Sequence, residues 1–251
     1  MGDIKRRRVE SVEVVTLARP PANALDIEMI EEIAATFEAV ASDDSVRAAI
    51  LTGDGKAFCA GLDLKAVPQY DENERRRLLY AINKMVLATY GCPVPMIGAI
   101  NGHAIAGGFV LAMCCDWKIV AESTLQAGLT EVRVGIPYPA AAIEVVRSEL
   151  SAKVARELVL FGRNMNGADA FAAGIFDEST PLNRLFERAM EKAKESAELP
   201  RHTFATIKRQ LRQRALESCR AAVSGEGEPL RHGWTQADAA AASRVLSRPR
   251  T

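Results

Sequence analysis

The chain has 251 residues, a length that suffices to bury one full core. Hydrophobic residues make up 48% and charged residues 25%, which excludes a disordered or fibrous protein. Lys and Arg together number 32, as do Asp and Glu, so the chain lacks the overall positive charge of most nucleic-acid-binding proteins.

The N-terminal residues, MGDIKRRRVESVEVV, mix basic and acidic side chains and contain no long apolar stretch. This pattern predicts neither a signal peptide nor a transit peptide. No run of 18 uncharged apolar residues follows, so we expect a cytoplasmic protein that does not enter a membrane. The five cysteines form no C-x-x-C pair and are predicted to be reduced and mostly buried.

The predicted elements begin with a strand over 12–18, because VEVVTLA is rich in β-branched residues and ends at the turn-forming RPP. A helix follows over 26–40, with Asp26 as its N-cap. Further short buried strands are predicted at 48–53, 95–102 and 116–122. Strands that alternate with helices predict right-handed crossovers and a mainly parallel sheet.

Beyond about residue 140 the strand pattern fades and helical segments follow one another. Gly, Pro or Asn separates them, as is typical of helix ends. The predicted helices cover 141–150, 151–162, 167–174, 181–199 and 202–219. An α/β core followed by a helical tail is therefore expected.

Two glycine-containing segments predict backbone N–H groups that are free to bind an anion. In KAFCAGLDL, 56–64, small residues follow a predicted strand, and in AIAGGFVLA, 104–112, two glycines open a helix. Each segment by itself also fits a simple tight turn or close helix packing. Together they fit an oxyanion hole, which needs two converging N–H donors and no reactive side chain. Neither segment is a phosphate-binding loop.

A glutamate in a mostly apolar stretch is the candidate acid or base. Glu131 lies in AGLTEVRVGIPYP, 127–139, between two glycines. Such an acid is either paired with a structural cation or desolvated for proton transfer, and the spacing alone favours the structural role.

Other kinds of site have weaker support. The three histidines, His103, His202 and His232, lack metal-ligand spacing, so no metal site is predicted. Cys59 has no neighbour that would lower its pKa, which argues against a nucleophilic role. The basic segment TIKRQLRQR, 206–214, is predicted to be a solvated helix face, although it could also contact phosphates.

Four segments in this order resemble the enoyl-CoA hydratase/isomerase superfamily, which has the crotonase fold. The matching segments are VVTLARPPANALD, KAFCAGLDLK, PMIGAINGHAIAGGFVLAMCCDWKIVAE and GLTEVRVGIPYP. The resemblance implies an α/β fold, a spiral of repeated ββα units with a C-terminal helical region used for trimerisation. It divides the chain into an acyl-CoA-binding core, 1–195, and a helical region, 196–251, and implies a homotrimer or hexamer.

The resemblance also assigns roles to individual residues. The oxyanion donors would be the backbone N–H groups of Leu62 and Gly107, and Glu131 would be the catalytic carboxylate. Coenzyme A would be part of the substrate, with no separate cofactor. The residues implied in substrate binding are Ala24, Ala60, Asp63, Leu64, Thr130 and Lys208, the last as a phosphate contact within its own subunit or toward a neighbouring one.

One departure from the family pattern determines the expected reaction. Hydratases of this family carry a second glutamate three residues after the donor glycine, where this chain has Val110. A valine cannot orient water or exchange a proton, so the resemblance favours the single-glutamate isomerases, which convert a 3-enoyl-CoA into a 2-enoyl-CoA.

Several alternatives stay open at this point. The nearest is a 2-enoyl-CoA hydratase, and thioester hydrolysis or decarboxylation would use the same oxyanion hole. A protein that binds RNA through its basic helix and a catalytically inactive oligomer are the alternatives outside enzymology. The balanced charge argues against nucleic acid as a partner.

Overall fold

The structure is a computed structural model that describes residues 2–122 and 125–230. His232 and the end of the predicted helical region lie outside the described residues.

The described strands form two sheets. A sheet of six strands has the order β1-β2-β3-β5-β7-β10, and a sheet of four has the order β4-β6-β8-β9. In the large sheet β1 is antiparallel to β2, and the other neighbours are parallel. The strands are β1 Ile4–Val9, β2 Val12–Leu17, β3 Ala48–Gly53, β4 Ala57–Cys59, β5 Met96–Ile100, β6 His103–Ile105, β7 Trp117–Glu122, β8 Gln126–Gly128, β9 Asn164–Asn166 and β10 Glu178–Pro181.

Helices cover both faces of the large sheet. The α-helices of the described residues are α1 Ile27–Ser42, α2 Glu72–Tyr90, α3 Gly107–Met113, α4 Glu131–Val134, α5 Ala140–Glu149, α6 Ala152–Ala155, α7 Gly167–Ala172, α8 Leu185–Ala197, α9 Arg201–Leu211 and α10 Gln213–Ser224. A π-helical turn, Arg156–Leu160, continues α6, and short 3-10 turns lie at Val67–Gln69 and Leu182–Arg184.

The chain winds as a spiral of ββα units, as the resemblance implies. β3, β4 and α2 form one unit, β5, β6 and α3 the next, and β7, β8 and α4 the one after. In each unit the first strand joins the large sheet and the second joins the small sheet. The carboxyl ends of the parallel strands β4, β6 and β8 therefore meet at one edge of the small sheet.

Alternation along the strands separates two apolar layers. Val15, Leu17 and Leu51 face the main core, whereas Val14 and Ile50 face α8 on the opposite side of the large sheet. Helix α8 meets that face with residues spaced four apart, one per turn: Leu185, Ala189, Ala193 and Ala197. Small side chains at three of these positions let the helix lie close to the sheet.

The predicted strands of the large sheet and the first helix are confirmed. Helix α1 begins where Asp26 was predicted to cap it, because the Asp26 carboxylate accepts a hydrogen bond of 2.9 Å from Met29 N. The five cysteines are free and buried, as predicted. No helix among the described residues has the length and apolar composition of a membrane span.

Three predictions of the element pattern are corrected. The charged segment Ile4–Val9 forms an edge strand that was not predicted; Arg6 and Arg8 both pair with Glu13 of β2, at 2.8 and 2.7 Å. Strands also occur after residue 140, as β9 and β10. The single helix predicted over 202–219 is two helices, which meet at Arg212.

Candidate active site

A cavity of about 1170 Å³ opens at the edge of the small sheet where β4, β6 and β8 end. The segments that follow these three strands carry the residues singled out in the sequence. The sequence-predicted residues that line this cavity are Ala24, Ala60, Leu62, Asp63, Leu64, Gly107, Thr130 and Glu131. The structure thus brings together every predicted site residue except Lys208.

The first glycine segment turns sharply after β4. Gly61 has φ of +82°, a conformation that side-chain-bearing residues rarely adopt. The next residue, Leu62, forms a parallel bridge with Leu25: Leu25 N donates to Gly61 O, and Asp63 N donates to Leu25 O, both at 2.8 Å. Because successive N–H groups of extended backbone point in opposite directions, the Leu62 N–H points away from Leu25. It has no acceptor within the described residues.

An arginine holds this segment in place. Arg19 contacts the carboxylates of Asp26 and Asp63, each at 2.9 Å, and donates to Ala24 O at 2.8 Å. Burial would raise the pKa of Asp63, but hydrogen bonds from the backbone of Lys65, from Arg19 and from the backbone of Ala66 together lower it. Asp63 therefore lines the cavity as predicted, while its carboxylate stabilises the loop.

The second glycine segment opens α3. Ala106 precedes it with φ of +52°, a strained conformation for a residue with a Cβ atom. Gly107 N is the first amide of the helix and has no acceptor in the part of the chain that is described. Gly108 packs against β4 so closely that an added Cβ atom would lie 2.1 Å from Cys59 O.

The two segments touch each other. An added Cβ on Gly61 would lie 3.2 Å from Gly107 N, and an added Cβ on Gly107 would lie 3.8 Å from Gly61 Cα. Two unpaired N–H groups beside a shared cavity fit the requirement for stabilising an oxygen that gains negative charge.

Glu131 begins the one-turn helix α4, which ends at Gly135 in the left-handed conformation. Its Oε2 atom is buried and has no hydrogen-bond partner among the described residues. Burial raises the pKa of Glu131, and the smaller effects of its own backbone N–H, the Tyr138 hydroxyl and the Thr130 backbone lower it. A carboxylate in this state is a stronger base than an exposed glutamate.

Glu131 is one of two residues with a carboxylate among the described residues that line this cavity. Of the described lining residues, Asp63 and Glu131 carry carboxylates, and Asp63 is paired with Arg19. Val110 of α3 also lines the cavity, with 3% of its surface exposed. The site thus combines one unpaired carboxylate with an apolar side chain where a second acid could stand.

An apolar wall of the cavity was not identified from the sequence. This wall includes Ile82, Met85 and Val86 of α2 and Ala142 of α5. Their spacing of three and four residues shows only that one face of α2 is buried. The sequence contains no signal for where that face lies relative to Glu131.

His103 also lines the cavity, a placement that the sequence analysis did not predict. It starts β6, and its Nδ1 accepts a hydrogen bond of 2.9 Å from Gln126 N. That bond places the proton of the neutral ring on Nε2.

Lys208 does not line the cavity, so its predicted phosphate contact is not made at this site and stays a prediction. Its Nζ lies 2.6 Å from Asp116 Oδ2 and donates to Val94 O at 3.3 Å. Arg212 is buried beside it, with Nη1 3.0 Å from Asp116 Oδ1 and Nη2 3.3 Å from Glu149 Oε1. Two cations of the basic segment 206–214 thus stabilise the attachment of α9 and α10 and present no charge to solvent.

A nucleophilic role for Cys59 has no support either. Burial raises the pKa of its thiol to about 12, so the thiolate is scarce at neutral pH. Across the described residues no group of three His, Cys, Asp or Glu side chains could hold a metal ion.

Comparison with known proteins places these features in a family context. The profile of the family described as enoyl-CoA hydratase/isomerase matches residues 7–240. A Thermus thermophilus protein, named provisionally as an enoyl-CoA hydratase, is 34% identical over 74% of this chain and 74% of its own length. The mitochondrial enoyl-CoA delta isomerase 1 of Mus musculus is 29% identical over 80% of this chain and 71% of its own.

The fold has a close counterpart among solved structures. Human mitochondrial delta3-delta2-enoyl-CoA isomerase superposes with a TM-score of 0.86 over 98% of this chain and 97% of its own. The two sequences are 23% identical, so the likeness concerns the fold.

Proposed function

Because this chain belongs to the enoyl-CoA hydratase/isomerase family, we propose that it converts a 3-enoyl-CoA into the conjugated 2-enoyl-CoA, with Glu131 as its single base. The CoA moiety would enter past Ala24, Ala60 and Leu64, and the acyl chain would lie along the apolar wall of α2 and α5. The reaction needs no cofactor beyond the coenzyme A of the substrate.

The first step depends on the two glycine segments. The thioester oxygen accepts hydrogen bonds from Leu62 N–H and Gly107 N–H. These donors stabilise the oxygen more strongly as it becomes the enolate, so they lower the barrier to removing a proton from C2.

Glu131 then transfers one proton within the substrate. Its carboxylate takes the proton from C2, and the electron pair spreads through the dienolate onto the thioester oxygen. The resulting carboxylic acid returns the proton to C4, and the double bond moves from C3–C4 to C2–C3. The net reaction is atom-neutral, and one carboxylate suffices for it.

The observation that carries this proposal is that Glu131 and Val110 line the same cavity. The Oε2 atom of Glu131 is buried without a hydrogen-bond partner among the described residues, and burial raises the pKa of this residue, whereas Val110 offers no proton and binds no water. Addition of water to a double bond calls for a group that orients the water and a group that protonates carbon. Isomerisation calls only for a proton carrier in a dry site.

A 2-enoyl-CoA hydratase is the second candidate. The Tyr138 hydroxyl lies beside Glu131 in the cavity without a hydrogen-bond partner among the described residues, and it could hold a water molecule. The provisional name of the Thermus thermophilus relative points the same way.

The decisive experiment compares the purified protein on a 3-enoyl-CoA and a 2-enoyl-CoA of equal chain length. We expect conversion of the 3-enoyl substrate to the conjugated thioester and slow hydration of the 2-enoyl substrate. Glu131→Gln should lose isomerisation by a factor of at least about 10² and keep its affinity for the CoA thioester, since the amide fills the same space.

Glu226→Gln is the matched control, because Glu226 is exposed and distant in the chain from the catalytic segments. It should retain wild-type rates. Rapid hydration by the wild type would instead assign the hydratase reaction, and full activity of Glu131→Gln would remove this residue from the mechanism.

We also propose assembly into a homotrimer or hexamer, in line with the family resemblance. Large apolar side chains stay exposed in the second half of the single chain; Phe161 and Leu211 are 72% and 83% exposed. Light scattering of the purified protein measures the number of chains directly, and a monomer at micromolar concentration would contradict the proposal.

A further inference from the structure

Tyr138 is a cavity residue that the proposed proton transfer does not yet use. It lies in the segment that joins α4 to α5, directly before Pro139, the N-cap of α5. Its hydroxyl is buried and lacks a hydrogen-bond partner of regular geometry within residues 2–122 and 125–230. Glu131 Oε2 shares both properties and lines the same cavity.

The pKa of each group responds to the other, although no hydrogen bond of regular geometry joins them among the described residues. The pKa of Tyr138 is raised, first by burial and then by the charge and proximity of Glu131. Tyr138 therefore keeps its proton at neutral pH and can only donate to a carboxylate. Hydrogen bonds in catalytic sites are often poorly aligned before substrate binds and tighten in the complex. The Tyr138 hydroxyl is therefore expected to donate to the Glu131 carboxylate once substrate is bound.

The backbone after Tyr138 is held in a fixed position. Ala140 N donates to Glu228 Oε2 at 2.9 Å, and Ala141 N donates to Asn83 Oδ1 at 3.1 Å. Asn83 Nδ2 also donates to Glu228 Oε2 at 2.7 Å, which ties the two acceptors together. The start of α5 is thus anchored to α2 and to the chain near residue 228, and Tyr138 projects into the cavity from this anchored end.

Glu131 is held less firmly by its own helix. Helix α4 has a single turn, and its N-cap residue Thr130 makes no side-chain capping bond. No hydrogen bond among the described residues holds the Oε2 atom of Glu131, whereas proton transfer between C2 and C4 requires one rotamer of the carboxylate. A fixed hydroxyl beside Oε2 would select that rotamer.

We propose that Tyr138 is a positioning residue for Glu131: its hydroxyl donates to Oε2 and holds the carboxylate in the orientation from which it reaches C2 and C4. The inference rests on the proposed function of Glu131. It adds that the orientation and charge of this base depend on a hydroxyl seven residues further along the chain.

Other charged groups around the cavity do not compete with this assignment. The pKa of Glu131 responds to burial, to backbone N–H groups of Glu131 and Thr130, and to Tyr138. The remaining titratable or charged residues of the cavity wall are Arg19, Asp63, Lys65, His103 and Arg133. The first two are paired with each other at 2.9 Å.

The test uses Tyr138→Phe, with Tyr80→Phe of the exposed tyrosine on α2 as the control. In Tyr138→Phe the acid limb of the kcat/KM profile should move to higher pH, because the carboxylate loses a donor that stabilises its charged form. At the optimum, kcat should fall by about tenfold to a hundredfold with KM nearly unchanged. Tyr80→Phe should behave as the wild type.

A direct titration separates this inference from the proposed function. In full-length protein labelled with carbon-13 at the glutamate carboxyl, the Glu131 resonance is identified by its loss in Glu131→Gln. Its titration should move to higher pH in Tyr138→Phe even if no enoyl-CoA is turned over. Tyr138→Leu, which also lacks the hydroxyl, repeats the measurement if the Phe variant folds poorly.

Two results would overturn the inference. One is a Glu131 titration identical in wild type and Tyr138→Phe. The other is a loss of kcat with an unmoved acid limb, which would mean that the hydroxyl contacts the substrate and not the carboxylate.

Discussion

Gly61 and Gly107, from two different ββα units, pack against each other so closely that a Cβ atom on Gly61 would lie 3.2 Å from Gly107 N. The contact sets the separation of the two segments that carry the N–H groups of Leu62 and Gly107. The two segments can lie this close together because neither glycine has a side chain.

The two glycines should respond differently to alanine. Gly61→Ala places a Cβ 2.8 Å from Ile105 O at a residue with φ of +82°, so it should lower the unfolding free energy by at least about 1–2 kcal/mol and abolish turnover. In Gly107→Ala the added Cβ meets the side-chain atom Leu25 Cδ1 at 3.3 Å and Gly61 Cα at an ordinary contact distance of 3.8 Å, so this variant should fold with near wild-type stability. Urea unfolding and the isomerase assay measure both effects, and equal stability losses would contradict this account.

Val110→Glu should restore part of a two-acid site. The new carboxylate would line the same cavity as Glu131, so we expect hydration of a 2-enoyl-CoA to rise relative to isomerisation. Burying the charge should lower the unfolding free energy by about 1–3 kcal/mol. Val110→Gln is the control, since it adds similar volume without an acid. If both variants hydrate equally, the added volume and not the acid is responsible.

The stability of the protein should depend on the ionisation of Glu131. Burial raises its pKa from an ordinary value near 4.5, so the native state holds this proton to higher pH than the unfolded chain does. Between the ordinary and the raised value the native state binds more protons, and stability falls as the pH rises. Glu131→Gln has no carboxyl group at this position, so this loss of stability does not occur in it.

Urea unfolding of wild type and Glu131→Gln over a pH series measures this effect. The Gln variant should gain stability relative to the wild type as the pH rises through the window, by about 1.4 kcal/mol for each pH unit that the window spans. Below the window the difference should be constant. A difference that does not vary with pH would show that the pKa of Glu131 is not perturbed.

Lys208→Met should reduce stability and leave substrate binding intact. The substitution leaves Asp116 with Arg212 as its remaining cation, and breaking such a buried pair costs about 3 kcal/mol. Arg209→Met, on the same helix and exposed, should cost little. Thermal unfolding and the KM for a CoA thioester check the two halves of this prediction. A raised KM with unchanged stability would return Lys208 to the phosphate-binding role.

The parts of the fold that were predicted are those whose signal is local. Helix α1 has both its cap, Asp26, and an apolar stripe within one short segment, and β2, β3, β5 and β7 are long enough to show β-branched or apolar runs. Strands β4, β6 and β8 have three residues each, too few for any period to be read, yet they carry the catalytic segments.

The residues of the candidate site also divide into those with a local sequence signal and those without one. The Gly61 and Gly107 segments and Glu131 are motifs of neighbouring residues, so they could be found in the sequence. The wall formed by Met85 and the burial of Lys208 against Asp116, 92 residues earlier, result from packing between distant segments. No local pattern encodes which face of a helix meets which strand.

The Glu228 carboxylate that anchors the start of α5 has a consequence for biosynthesis. Ala140, which it binds, precedes it by 88 residues, and Asn83 precedes it by 145. During translation the ribosome makes the oxyanion segments, Glu131 and Tyr138 long before it makes this anchor. A nascent chain consequently carries all of the proposed reacting groups before the acceptor of Ala140 N exists, so the start of α5 gains this anchor only after residue 228 has been made.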